Sequence, residues 1–151
     1  MIDNNKIVTF HIGGRAGSIG FPENYKFNHE VEKIIFEADK DSIDQIKEIH
    51  PNGKTLNFFV GKNNEKVNFN INYCPYTSSV YSLNPDFKNY YHEHIHETDY
   101  VYKHVMRTEK IIPFISRSLD SLCYEKITPI PDFISIDTQG SEFDILQNSI
   151  E

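Results

Sequence analysis

One segment near the end of the chain constrains the fold more than any other. Residues 132–143 read DFISIDTQGSEF, a hydrophobic run of strand length followed by an acid, a turn with glycine and a second acid. β-branched and aromatic residues favour extended structure, and an acid is common in the first turn of a helix. The segment therefore predicts a strand that turns directly into a helix, which is the repeating unit of α/β sheets.

The rest of the chain continues this alternation. Strands are predicted at 6–12, 33–37, 55–60, 66–71, 110–115 and 132–136. Helices are predicted at 42–49, around 119–124 and from Ser141 onward. Alternating strands and helices predict an α/β fold with a largely parallel sheet. Since residues 66–71 alternate apolar and polar side chains after the turn at 61–64, an antiparallel hairpin is expected at one edge.

Length and charge narrow the class of protein. The 151 residues are enough for a single domain over 1–151, and the segments 20–29 and 84–104 receive no assignment. The net charge of −7, with no Lys/Arg cluster, argues against a nucleic-acid partner. No stretch is apolar enough to cross a membrane, and Met1–Lys6 lacks the pattern of a secretory signal. We therefore expect no membrane partner and a cytoplasmic protein with reduced thiols at Cys74 and Cys123.

Three strand ends carry candidate ligand contacts, because ligands of open α/β sheets bind there. Gly13, Gly14 and Gly17 follow the first strand, where they either approach a ligand or simply form a turn, and their spacing is not GxGxxG. Glu37 ends the second strand about 20 residues later, where a carboxylate holds ribose hydroxyls or is only solvated. Asp39 is interpreted as a helix cap. Asp137 ends the last predicted strand.

The segments RSLDSL at 117–122 and DFISIDTQGSEF at 132–143 together resemble the FkbM methyltransferase family, whose pattern joins LDSL to a hydrophobic strand ending in IDTQGSE. The resemblance covers essentially the whole chain. It implies a Rossmann-like class I methyltransferase fold, S-adenosylmethionine as the methyl donor, and O-methylation of a sugar or other small-molecule hydroxyl.

The same resemblance assigns roles to residues. Residues 36–39 look like the ribose-binding strand end of the family, and Ser78 and Ser79 lie in its serine-bearing stretch. The implied donor contacts are Gly13, Gly14, Gly17, Glu37, Ser79, Asp120 and Asp137. The chain departs from the pattern at His11, where the family has an acid, and at Ser135, where lysine is common. It also ends at Glu151 inside the last helix, so we expect a sheet that is incomplete at the C-terminus and an open edge that favours self-association.

Catalytic candidates follow from the chemistry of methyl transfer, in which an enzyme orients two substrates and often removes a proton from the acceptor. Asp137 is the first choice. Glu142 serves either as a catalytic group or as a charge favourable to a helix dipole. Asp120 is interpreted mainly as the cap of a short helix.

A histidine cluster supports a different class of function. His92, His94 and His96 recur at period two, which suits a metal site, a general base at His94, or a solvated polar loop. No metal ligand is assigned. The alternatives to a methyltransferase are thus a non-catalytic fragment of the same fold and a metal-dependent hydrolase built on these histidines.

Overall fold

The computed structural model describes residues 6–16, 26–86, 92–95 and 98–149. Within these residues eight strands are present: β1 (Ile7–Ile12), β2 (Val31–Phe36), β3 (Lys54–Leu56), β4 (Lys66–Asn72), β5 (His92–Ile95), β6 (Thr98–Val101), β7 (Thr108–Ile115) and β8 (Phe133–Ile136). The helices of the described part are α1 (Ile43–Ile49), α2 (Tyr102–Val105), α3 (Leu119–Tyr124) and α4 (Glu142–Gln147).

The centre of the fold is a four-stranded parallel sheet in the order β3-β2-β1-β8. Its register places Ile12 opposite both Phe36 and Ile136, and Phe36 opposite Leu56. The carboxyl ends of all four strands therefore meet along one edge. The predicted α/β fold with a mostly parallel, Rossmann-like sheet is confirmed.

The strand order contains a reversal at β1. From β1 the chain moves outward through β2 to β3, whereas β8 lies on the opposite side of β1. In open α/β sheets such a reversal opens a crevice beyond the strand ends, because the connections on its two sides leave in opposite directions. The ends of β1 and β8 flank this crevice.

An antiparallel pair accompanies the sheet, as predicted, but its partner strand differs from the expectation. The expected hairpin joined residues 55–60 to 66–71, whereas β4 pairs with β7 and β3 pairs only with β2. After β3 the chain leaves the sheet, and Val60 forms a parallel bridge with Arg117 instead. Rings of Phe59, Phe69 and Phe114 pack at centroid distances of 5.9 to 6.3 Å and hold the β4–β7 ribbon in place.

One apolar core joins the sheet to α3 and α4. It contains Phe10, Ile12, Ile34, Phe36, Val60, Leu119, Leu122 and Ile145. Phe10 and Phe36 meet edge to face at 5.1 Å, a favourable geometry for two aromatic rings. Ile134 and Ile136 of β8 pack against this core, so both strands that flank the crevice rest on it.

Of the two helix caps predicted from the sequence, the structure confirms one and contradicts the other. Asp39 caps the 3₁₀ turn Lys40–Ser42 that leads into α1, with its carboxylate accepting from the Asp41 amide at 3.0 Å. This cap was predicted. For α3, however, the cap is Ser118, whose hydroxyl accepts from the Ser121 amide at 3.1 Å, and Asp120 lies inside the first turn. The interpretation of Asp120 as the cap was wrong.

The segment 84–104, left without assignment, contains β5, β6 and α2, with β5 and β6 paired antiparallel. His92 and His94 belong to β5, and their side chains, like Gly17 and His96, lie outside the described part. Among the described residues, no helix has the length and apolar character that crossing a membrane requires.

Candidate functional site

A cleft opens at the switch point of the sheet. Its lining includes residues at strand ends, namely Gly13, Glu37 and Asp137. The lining also includes apolar and aromatic side chains, among them Phe58, Phe59, Phe69, Pro75 and Tyr76. Such a mixture of apolar walls and a few convergent polar groups is typical of small-molecule sites.

Glu37 is the most strongly positioned polar group of the cleft. The residue is only 5% exposed, and its two side-chain oxygens accept from the Arg15 amide at 3.0 Å and the Asp39 amide at 2.7 Å. Burial raises the pKa of Glu37, although the Arg15 charge and the hydrogen bonds oppose this rise. Each carboxylate oxygen has a second lone pair, so the group can still accept from ligand hydroxyls.

The backbone around Glu37 is fixed by β3. The Glu37 amide donates to Leu56 O at 3.0 Å and so extends the ladder by one residue. The Asn57 side-chain amide then donates to both Glu37 O and Ala38 O at 2.8 Å. Asn57 thus satisfies two carbonyls that the sheet no longer pairs. Asn57 directly follows the observed β3, whereas the prediction placed it inside a strand at 55–60, so this role was missed.

Gly13 lies where the chain passes between two neighbouring strand ends. Its amide donates to Phe36 O at 3.0 Å, and its φ of +94° is a conformation that other residues rarely adopt. A Cβ at this position would lie 1.9 Å from Asp137 O. Gly14 is constrained by packing instead, since its Cβ would lie 2.4 Å from Ile35 Cγ2. Glycine is therefore required at both positions for structural reasons, whatever they bind.

Arg15 brings a positive charge to the cleft, and the structure gives it a partner. Its guanidinium forms an ion pair with Asp39, and both side chains are largely buried. Because Asp39 offsets this charge, the net charge around Glu37 stays negative. Sequence reasoning missed the pairing, since it depends on the conformation of the turn after β1.

Asp137 begins a tight turn after β8. Its amide donates to Ile12 O at 2.8 Å, which ties the turn to the end of β1. Its carboxylate is exposed and lines the cleft, with one oxygen accepting from Gln139 Nε2 at 3.0 Å. Gln139 and Gly140 follow with φ of +59° and +113°, so two successive left-handed residues turn the chain.

Glu142 closes this turn rather than lining the cleft. Its carboxylate accepts from the Thr138 amide at 2.9 Å and from the Gly140 amide at 3.0 Å. Burial alone would raise the pKa of Glu142, but hydrogen bonds from backbone amides and from Thr138 outweigh it, so the pKa is lowered. This geometry serves turn closure, and the catalytic role of Glu142 stays a prediction.

His11 and Ser135, the two positions that depart from the family pattern, are direct partners across β1 and β8. The imidazole bonds to Ser135 Oγ through Nδ1 and to Gly13 O through Nε2, both at 3.1 Å. Burial lowers the pKa of His11, which is 4% exposed. This hydrogen-bonded pair joins β1 to β8 two residues before Gly13 and Asp137, which line the cleft.

Two other predicted donor contacts, Ser79 and Asp120, do not line the cleft. Ser79 is buried and donates to Gln139 O at 2.9 Å, whereas its neighbour Ser78 lines the cleft. Asp120 lines a different cavity, between α3 and α4. The structure thus brings Gly13, Glu37 and Asp137 together and does not bring Asp120 to them. Donor contacts by any of these residues stay predictions.

The histidine cluster gains no support from the described residues. Among them, no group of three His, Cys, Asp or Glu side chains is placed to hold a metal ion. The side chains of His92 and His94 and the whole of His96 are outside that part, so the metal-dependent alternative stays untested.

A parallel sheet with a reversal in strand order, a glycine turn and carboxylates at the strand ends defines the class of Rossmann-like α/β domains. The family model for the methyltransferase FkbM domain matches residues 11–151. The chain therefore belongs to the FkbM methyltransferase family, and the resemblance inferred from residues 117–122 and 132–143 is confirmed. No curated protein and no solved structure matches the chain.

Proposed function

We propose that the chain binds S-adenosylmethionine in the switch-point cleft and methylates a hydroxyl group of a sugar or another small molecule. The observation that carries the proposal is the Glu37 carboxylate, held by two backbone amides at the end of β2 beside Gly13 and Asp137. Membership of a methyltransferase family supports a methyl donor, and the cleft supports this donor in particular.

The donor set fits the chemistry of S-adenosylmethionine. A ribose offers two hydroxyl donors, and Glu37 offers two oxygens with remaining acceptor capacity. The sulfonium is cationic, and Asp137 and Glu37 supply negative charge while Asp39 offsets Arg15. The flat adenine ring suits the aromatic side chains of the cleft lining, which include Phe58 and Tyr76.

When bound, the donor supplies an electrophilic methyl group, and the chain has to orient an acceptor oxygen towards it and receive its proton. Asp137 is the proposed proton acceptor, because one of its oxygens is held by Gln139 and the carboxylate is exposed to the cleft. Glu142 is the weaker candidate, since its oxygens are engaged by amides of the turn. His94 remains a proposed base from the sequence alone.

Calorimetric titration of S-adenosylmethionine and of S-adenosylhomocysteine tests the cofactor directly. We expect saturable binding by the wild-type chain, a large loss in Glu37→Gln, and wild-type affinity in Glu109→Gln. Glu109 is a suitable control because it pairs with Arg107 on the exposed β7 ribbon. A folded wild-type chain that binds neither compound would contradict the proposal and favour a non-catalytic domain of the same fold.

The acceptor and the location belong to the same proposal. A carbohydrate or other small-molecule acceptor fits the size and mixed lining of the cleft, and the net charge of −7 argues against a nucleic-acid acceptor. A cytoplasmic location is supported by the two free thiols of Cys74 and Cys123, which suit a reducing compartment.

A further inference from the structure

The turn that follows Asp137 has a left-handed backbone at two successive residues. Gln139 is a non-glycine residue at φ +59° and is followed by Gly140 at +113°. Left-handed backbone at a non-glycine residue carries strain and persists only when surrounding groups hold it. The amide groups of this turn are held by Glu142, as described above. The backbone carbonyl of Gln139 accepts a hydrogen bond from a residue in another part of the molecule.

That second support comes from Ser79, beside the β4 strand. The residue is 3% exposed, and its backbone exchanges two hydrogen bonds with Asn70 at 2.8 and 3.1 Å. Its hydroxyl accepts from the Tyr81 amide at 3.1 Å and donates to Gln139 O at 2.9 Å. Both the donor and an acceptor site of the hydroxyl are thus engaged, and the β4 ribbon fixes its position.

Gln139 transmits this constraint to the cleft. Its backbone is held by Ser79, and its side-chain Nε2 donates to one oxygen of Asp137 at 3.0 Å. The connection therefore runs from the ribbon through the Ser79 hydroxyl and the Gln139 residue to a carboxylate that lines the cleft. Ser79 itself does not line the cleft, whereas Ser78 and Gln139 do.

We propose that Ser79 is a positioning residue, which orients the Asp137 carboxylate through Gln139 and does not contact the methyl donor. The inference rests on the proposed function only for the test that measures donor affinity. It changes the role of Ser79 from a ligand contact to a support of the turn, and it gives Gln139 a part in the cleft.

A double-mutant cycle on donor affinity distinguishes this role from direct contact. Loss of one hydrogen bond by Ser79→Ala should weaken S-adenosylmethionine binding about three- to tenfold. In the Gln139→Ala background the same substitution should cause no further loss, because the link to Asp137 is already broken. Equal losses in both backgrounds would overturn the proposal. The control is Ser118→Ala, which removes a buried serine cap of α3 outside the cleft.

A second measurement needs no donor. In the free protein, the NMR signal of the Gln139 side-chain amide should move in Ser79→Ala in the same direction as in Asp137→Ala, and should not move in Ser118→Ala. A folded Ser79→Ala chain with an unchanged Gln139 signal would overturn the proposal. If the wild-type chain binds no donor, the proposed function fails while this measurement still decides the role of Ser79.

Discussion

Two glutamates follow the ends of strands that flank β1 on its two sides, and they serve opposite purposes. Glu37, after β2, is buried in the cleft with a raised pKa, and its amide partners leave lone pairs for a ligand. Glu142, after β8, accepts from the Thr138 and Gly140 amides and has a lowered pKa. The same side chain thus serves ligand binding where it is desolvated and turn closure where amides converge on it.

The comparison shows why position at a strand end does not by itself identify a ligand contact. Both glutamates lie near the switch point, and both accept hydrogen bonds from backbone amides. They differ in what the remaining lone pairs face, which is the cleft for Glu37 and the inside of a turn for Glu142. We therefore expect substitutions of Glu37 to act mainly on binding and those of Glu142 mainly on stability.

The largest effect on stability is expected at Gly13, which lies between the end of β2 and the turn after β8. In Gly13→Ala a Cβ would overlap Asp137 O at 1.9 Å, and alanine would be strained at φ +94°. We expect a loss of roughly 3 kcal/mol or more in the free energy of unfolding, measured with urea. Gly53→Ala is the milder control, because its Cβ would lie 3.1 Å from Ile35 Cδ1 and 3.3 Å from His50 O, which are much longer distances than 1.9 Å. Equal stability of the two variants would show that the β1 and β8 turns are not in the described contact.

A smaller effect on stability is expected for Glu142→Ala. Its removal leaves the Thr138 and Gly140 amides without their carboxylate acceptor, which should lower the free energy of unfolding by about 1–2 kcal/mol. The exposed Glu48→Ala on α1 should change it by less than about 0.5 kcal/mol. Chemical denaturation of both variants checks this prediction, and a Glu142→Ala chain as stable as Glu48→Ala would contradict turn closure.

The pH dependence of stability sharpens the contrast, because the two pKa shifts have opposite signs. A raised pKa means that the folded state binds the proton more tightly, so the contribution of Glu37 is lost as pH rises from about 4.5 through the folded pKa. The lowered pKa of Glu142 gives a contribution that is present above 4.5 and lost as pH falls.

Relative to wild type, Glu37→Gln should therefore become more stable with rising pH, and Glu142→Gln less stable. Urea unfolding at a series of pH values measures both slopes. Slopes of the same sign would mean that the two carboxyl groups do not differ as described.

The smallest effect is expected from His11, which lies between the two regions. Burial lowers its pKa, so its contribution to stability is present above about 6.5 and is lost as pH falls, when the unfolded chain takes up the proton first. His11→Gln should flatten this loss between about pH 5 and 7. An unchanged slope in His11→Gln would exclude a buried neutral imidazole.

Local patterns predicted much of this fold, and non-local contacts account for the errors. β1, β8 and α3 were predicted because each is a compact hydrophobic pattern with a clear end. The partner of β4 was wrong because β7 lies some forty residues further along the chain, and nothing in 66–71 distinguishes a distant strand from a near one.

In the candidate site, too, local patterns predicted some residues, and contacts between distant segments were missed. Glu37 and Asp137 were found because a strand end is visible in the sequence, and both line the cleft. Pairing of Arg15 with Asp39, the two carbonyls held by Asn57, and the Ser79–Gln139 contact depend on turns and on a ribbon that folds back from elsewhere. Spacing along the chain carries no signal for such contacts.

The most direct test of this account compares the dissociation constant of S-adenosylmethionine for wild type, Glu37→Gln and Glu142→Gln by calorimetry. Hydrogen bonds to a charged group contribute about 1.5–3 kcal/mol, so Glu37→Gln should weaken binding by roughly 100-fold. Glu142→Gln, studied where it remains folded, should change it only a few-fold. Wild-type affinity in Glu37→Gln, or a larger loss in Glu142→Gln than in Glu37→Gln, would contradict the assignment of Glu37 as the ligand-binding carboxylate.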